Sequence, residues 1–131
     1  MKNTILGIFL SLFCLQCISQ ASNPESDPQL AAKTEKIRDG LIHEDYNKVT
    51  ADFNSQMSAA LKPEQLKQVW EGLIQQLGNY DSYGDISSSE IEGYRVIYSI
   101  LKFEKAPIKL KVVFDDDDNV AGLFFVPVNA Q

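Results

Sequence analysis

Residues 51–80 read Ala51-Asp-Phe-Asn-Ser-Gln-Met-Ser-Ala-Ala-Leu-Lys-Pro-Glu-Gln-Leu-Lys-Gln-Val-Trp-Glu-Gly-Leu-Ile-Gln-Gln-Leu-Gly-Asn-Tyr80, and this stretch decides the fold class. It joins two amphipathic helices and ends where the hydrophobic period changes from helical to alternating. Pro63 suits a first helical turn, where its missing N–H is no loss. Leu66, Val69, Trp70, Leu73 and Leu77 then repeat at helical spacing, and Gly78 offers the left-handed residue that commonly closes a helix.

Toward the N-terminus, Asp27-Pro28 predicts another helix start, because Asp can accept from the free amides of the first turn. Leu30, Thr34, Ile37 and Leu41 follow on one face, and Gly40 weakens the end. A His43-Glu44-Asp45 turn leads into a second helix, capped by Asp45, with Tyr46, Val49 and Phe53 as its buried stripe. Toward the C-terminus, Tyr94–Phe103 and Ile108–Phe114 alternate as strands, Val120–Val128 follows, and Tyr80–Ser87 makes a weaker first strand. The connections Glu90–Gly93, Glu104–Pro107 and Asp115–Asn119 are short enough for antiparallel hairpins. The expected fold is α+β, three N-terminal helices packed on a four-stranded antiparallel meander. Whether Phe124 or Phe125 faces inward stays open, because one residue more or less in the acidic loop exchanges them.

Residues 1–21 read as a secretory signal. Lys2 gives a charged start, Ile5–Leu15 is apolar apart from Gly7 and Ser11, and Ser19 and Ala21 suit cleavage before Ser22. Cleavage after Ser19 is the alternative. The apolar run is shorter than the roughly 20 residues that a membrane anchor needs. Cys14 and Cys17 follow Phe13 and Gln16, which is not the pattern for lipid attachment. Residues 22–27 form a polar linker, and 28–131 a single domain of secreted or periplasmic location. Cleavage removes both cysteines, so the exported domain relies on its core instead of disulfides. Without Lys2 the chain keeps eleven basic against 18 acidic residues, a net charge of −7. That field disfavours nucleic acid and anionic membranes as partners.

Asp52-Phe53-Asn54, Met57, Pro63-Glu64-Gln65-Leu66, Val69-Trp70 and Leu77-Gly78, with Phe103–Ala106, Val113–Asp115 and Val120–Phe124, resemble the domain-of-unknown-function family 3887. The resemblance covers nearly the whole predicted domain. It implies a nuclear-transport-factor-2-like (cystatin-like) fold, a cone of three helices over a curved sheet. It also implies an accessory role, since members often precede an α/β-hydrolase domain. This chain has no Gly-x-Ser-x-Gly nucleophile elbow and reads as a stand-alone copy.

Candidate chemistry is sparse. His43, the only histidine, reads as a catalytic base or as a turn residue bonded to a carboxylate or water, and its interhelical position favours the second. It has no second histidine or exported cysteine to share a metal with. Asp115–Asn119 is rich in oxygen ligands, but consecutive aspartates cannot all turn to one calcium ion, so a solvated turn is expected. An isomerase-type or dehydratase-type site would need an acid such as Asp81, Asp85 or Glu104 to meet Tyr98 inside an apolar hollow. No spacing brings them together, so no catalytic residue, metal site or cofactor is assigned. Phe53, Met57, Trp70, Tyr98 and Phe114 are the residues expected to line a ligand pocket, or else to fill the core. Lys109 and Lys111 mark a wet strand face, whereas Ile97, Leu101, Phe103 and Val113 suggest an apolar one suited to a homodimer. The expected role is a non-catalytic binding or accessory module for a small apolar ligand or a partner protein, such as a hydrolase. An enzyme and a homodimeric structural module are the alternatives.

Overall fold

The computed structural model describes residues 27–128. In chain order these form α1 (Pro28–Ile42), α2 (Tyr46–Thr50), α3 (Ser55–Ala60) and α4 (Pro63–Leu77), then β1 (Tyr80–Ile91), β2 (Tyr94–Phe103), β3 (Pro107–Phe114) and β4 (Val120–Pro127). The expected signal segment 1–21 and linker residues 22–26 lie outside the described residues.

α1 begins as its sequence requires. The Asp27 carboxylate accepts from the Leu30 amide at 3.2 Å, Pro28 occupies the first turn, and Leu30, Thr34, Ile37 and Leu41 are buried. Thr34 is buried at no loss because its hydroxyl donates to the Leu30 carbonyl. Gly40 serves packing rather than termination: a Cβ there would sit 2.6 Å from Val49 Cγ2, so only glycine lets α2 cross this closely.

The expected second helix is divided, giving four helices among the described residues instead of three. It stops at Thr50 because the chain at Phe53 is drawn into a parallel bridge with Val120. The Val120 amide donates to the Asp52 carbonyl at 2.8 Å, and the Asn54 amide donates to the Val120 carbonyl at 2.9 Å. Asn54 then restarts the helix, its side chain accepting from the Met57 amide at 2.8 Å. Phe53 reaches the core by this bridge and not on the helical stripe assigned to it.

The strands form one antiparallel sheet in the order β1-β2-β3-β4. β1 extends beyond the expected Ser87 to Ile91. Glu92 and Gly93 both have positive φ, 52° and 86°, the requirement of a two-residue type I′ turn whose twist matches the strands. That turn sets Ser88–Ile91 against Tyr94–Ile97, and pairing overrides the poor strand propensity of the serines. In β4, Phe114 pairs with Val120 but Val113 pairs with Gly122, leaving Ala121 as the extra residue of a bulge. The bulge points both Val120 and Leu123 into the core. Phe125 consequently packs inward against Trp70, while Phe124 lies outside, half exposed.

Ile97, Leu101 and Phe103 are core residues alongside Leu110, Val112 and Phe114, so the outer apolar face drawn from the first three is corrected. Alternation places Val113 on the opposite face, with Tyr94, Val96, Tyr98, Ile100, Lys109, Lys111 and Phe124. Trp70 joins α4 to the sheet, its ring 5.6 Å from that of Phe103, which in turn meets Tyr80 edge-on at 6.0 Å.

Candidate functional site

Of the residues expected to line a pocket, Phe53, Trp70 and Phe114 are buried in the common core, and Met57 packs against it from α3. With Trp70 2% exposed and Phe114 1%, these rings fill the interior. Tyr98 is not brought to them. It pairs with Lys111 on the other face of the sheet, and Lys109 Nζ stands 5.2 Å from its ring centroid.

The acids considered for catalysis are also dispersed. Glu104 accepts from the Asn79 amide at 2.8 Å, closing the passage from α4 to β1. Asp81 accepts from the hydroxyl of its neighbour Ser82 at the exposed edge of the sheet. His43 caps α1, with Nδ1 2.9 Å from the Asp39 carbonyl. Burial raises the pKa of Tyr80, and Arg38 opposes that shift. Burial likewise raises that of Tyr46, with Glu44 adding to it.

The acidic run proves to be a knot of structural bonds. Asp115 accepts from the Asp117 and Asn119 amides at 2.9 and 3.0 Å through one carboxylate oxygen, and from the Asn54 side chain at 3.0 Å through the other. The Asn54 bond, followed by the backbone bonds, holds its carboxyl below the usual carboxylate range. Arg95 donates to the Asp115 carbonyl at 2.7 Å, meets Asp118 at 2.6 Å, and lies 3.5 Å from Asp27 at the start of α1. Lys33 also donates to the Asp118 carbonyl. Of the four aspartates Asp116 and Asp117 are exposed, and Asp115 and Asp118 are half-buried.

A groove lies elsewhere, where α4 runs beside β4. Leu66, Val69, Gly72 and Leu73 make one wall of a groove of about 510 Å³, and Leu123–Val126 make the other. Leu61 closes one end, and Gln68 and Gln76 supply the polar side chains. None of the described lining residues is charged. Val69, assigned by its spacing to the buried stripe, is corrected: it is 43% exposed in this groove. At Gly72 an added Cβ would meet nothing within 4 Å. The two walls meet through Trp70 and Phe125, immediately beside Val69 and Phe124 in sequence, whose rings lie 6.2 Å apart and tilted by 45°. The sequence did carry a signal for this site. Gly72–Asn79 and Val120–Val128, which contribute to both walls, are charge-free runs, as is Phe53–Leu61 just before α4.

Two smaller hollows flank the sheet. One of about 240 Å³ lies between α1 and β1, lined by Asp27, Ala31, Glu35 and Ile86 among others. One of about 210 Å³ lies on the outer face around Val96. The α1–β1 side also holds Arg38, 4% exposed, its guanidinium 3.7 Å from the Tyr83 ring centroid. Glu35 and Asp39 approach it only to 3.9 and 3.8 Å, and Arg38 Nε has no hydrogen-bond partner among the described residues.

Fold and site together define an α+β domain with an open, uncharged groove between a helix and a sheet edge. Residues 34–123 match the family described as Protein of unknown function (DUF3887), and since the match covers more than half of the chain, the chain belongs to that family. No curated protein and no solved structure matches it significantly.

Proposed function

We propose that this chain is an exported, non-catalytic binding or accessory module on a nuclear-transport-factor-2-like cone. Its contact site is the groove between α4 and β4, which takes an apolar segment of a partner protein or a small apolar ligand. The observation that carries this reading is the groove itself: it is uncharged and apolar, and it lies beside rings packed in the core. Trp70, Phe53 and Phe114 belong to the packing beneath, which favours an open contact surface over an enclosed pocket. Export rests on Lys2, the apolar run Ile5–Leu15 and the Ser19/Ala21 cleavage pattern. A partner hydrolase acting in trans is consistent with the domain pairing that the family resemblance implies.

Native mass spectrometry of the protein, purified gently from the exported fraction, tests the reading. The expected spectrum carries added mass that disappears on denaturation and is absent from Val69→Lys. Bare protein with no difference from Val69→Lys would sink it.

A further inference from the structure

We infer that the groove's first occupant is a second copy of this chain, paired edge to edge through β4 to make a continuous eight-stranded sheet. The inference rests on the groove proposed above as the contact site and specifies its partner.

The two edges of the sheet are built differently. β1 is interrupted by two register irregularities and carries Asp81, Asp85 and Glu90, devices that stop one sheet edge from adding to another. β4 is regular from Gly122 to Pro127, has no charged residue and has no strand on its outer side among the described residues. Its first residue already shows that this edge accepts an extended chain, since Val120 exchanges backbone hydrogen bonds there with Asp52 and Asn54. Beyond that bridge and the Ala121 bulge the edge continues for six residues, Gly122–Pro127, roughly 20 Å, ending at a proline that limits further pairing.

Two-fold symmetry suits what stands above the strand. Two copies joined by antiparallel β4 strands also bring their α4 helices together across the axis, on the same side of the sheet. The α4 residues lining the groove include Val69, Gly72, Leu73 and Gln76, which are uncharged, and the space around Gly72 admits a close helix. Charge selects this surface as well. The chain carries −6, so copies repel over most approaches, but an uncharged patch adds no like-charge contact. The outer face of the sheet lacks that property. Lys109 and Lys111 stand among its aromatic residues, so two copies meeting there would oppose lysines.

Sedimentation equilibrium of the full exported protein tests the pairing, with Gly72→Glu on α4 and Tyr94→Lys on the outer face as variants. The expected result is a dimer that weakens at least tenfold in Gly72→Glu and is unchanged in Tyr94→Lys. Glutamate is a better helix former than glycine, so Gly72→Glu keeps its fold. Gly72→Cys should also give a covalent dimer on oxidation, whereas Tyr94→Cys should not. A monomer at every concentration overturns the inference, as does a dimer broken only by Tyr94→Lys. If the protein is monomeric yet still retains a mass that Val69→Lys loses, edge pairing falls and the proposed binding function stands.

Discussion

Trp70 and Phe125 are packed 6.2 Å apart at 45°, one from the centre of α4 and one from β4, so the two walls of the candidate groove are held by one aromatic contact in the core. Trp70→Ala removes that contact and the one with Phe103. We expect it to destabilise the domain by about 3–5 kcal/mol, the range for deleting a buried aromatic. Tyr98→Ala, on the half-buried outer face, should cost clearly less. Urea unfolding of both variants makes the comparison, and equal losses would mean that Trp70 is not a core residue.

Asp115 gives the fold an acid-sensitive joint. Its carboxyl is held below the ordinary value chiefly by Asn54, so the native state binds its proton less readily than the unfolded chain. The stability it contributes is therefore fully present above the unfolded pKa, near pH 4, and is lost as pH falls through the lower folded value. Asp115→Asn should flatten this acid limb in thermal melts across pH 2–7, with roughly constant destabilisation at neutral pH. An unchanged acid limb would remove Asp115 from the account.

Two glycines in helices should respond with opposite signs. Gly72 lies inside α4 with open space around it, so Gly72→Ala should stabilise the domain by up to about 1 kcal/mol through helix propensity alone. Gly40 lies against α2, where a Cβ would meet Val49 Cγ2 at 2.6 Å and the Asp45 carbonyl at 3.0 Å. Gly40→Ala should destabilise by about 1–3 kcal/mol, the range for overpacking. Chemical denaturation of the pair checks both signs.

Arg38 is the opposite of a stabilising ion pair. Its guanidinium is buried, Nε donates no hydrogen bond among the described residues, and its acidic neighbours, Glu35 and Asp39, are about half exposed. Removing the cation leaves those carboxylates in water and no uncompensated buried charge. Arg38→Met, which keeps the packed stem and the contact with Tyr83, should melt at or above the native temperature. A large fall would show that the stacking on Tyr83 outweighs desolvation.

Elements with a strong local signal were legible in the sequence. The Asp27-Pro28 start, the Pro63–Leu77 helix and the β2–β3 pair combine caps, period and β-branched residues that agree with one another. The break after Thr50 was not legible, because Phe53 fits the helical stripe and leaves it only for a partner, Val120, that is distant in sequence. Tyr98 was mistaken for a neighbour of Trp70 for a related reason. Composition identifies an aromatic strand residue, but the sheet face it occupies depends on register. Val69 shares its helical face with core residues yet sits at the margin of that face, where burial depends on how far the adjacent strand extends.

By itself the sequence determined that helices precede a run of strands, the bounds of α1 and α4 and the acidic net charge, because periodicity, capping and charge are local or additive properties. The tertiary structure alone decided which faces meet. The Ala121 bulge turns Phe125 inward and Phe124 outward, and the free edge of β4 beside α4 creates an uncharged groove. Both depend on pairing between residues far apart in the chain, whose energies exist only once the sheet has closed on its register.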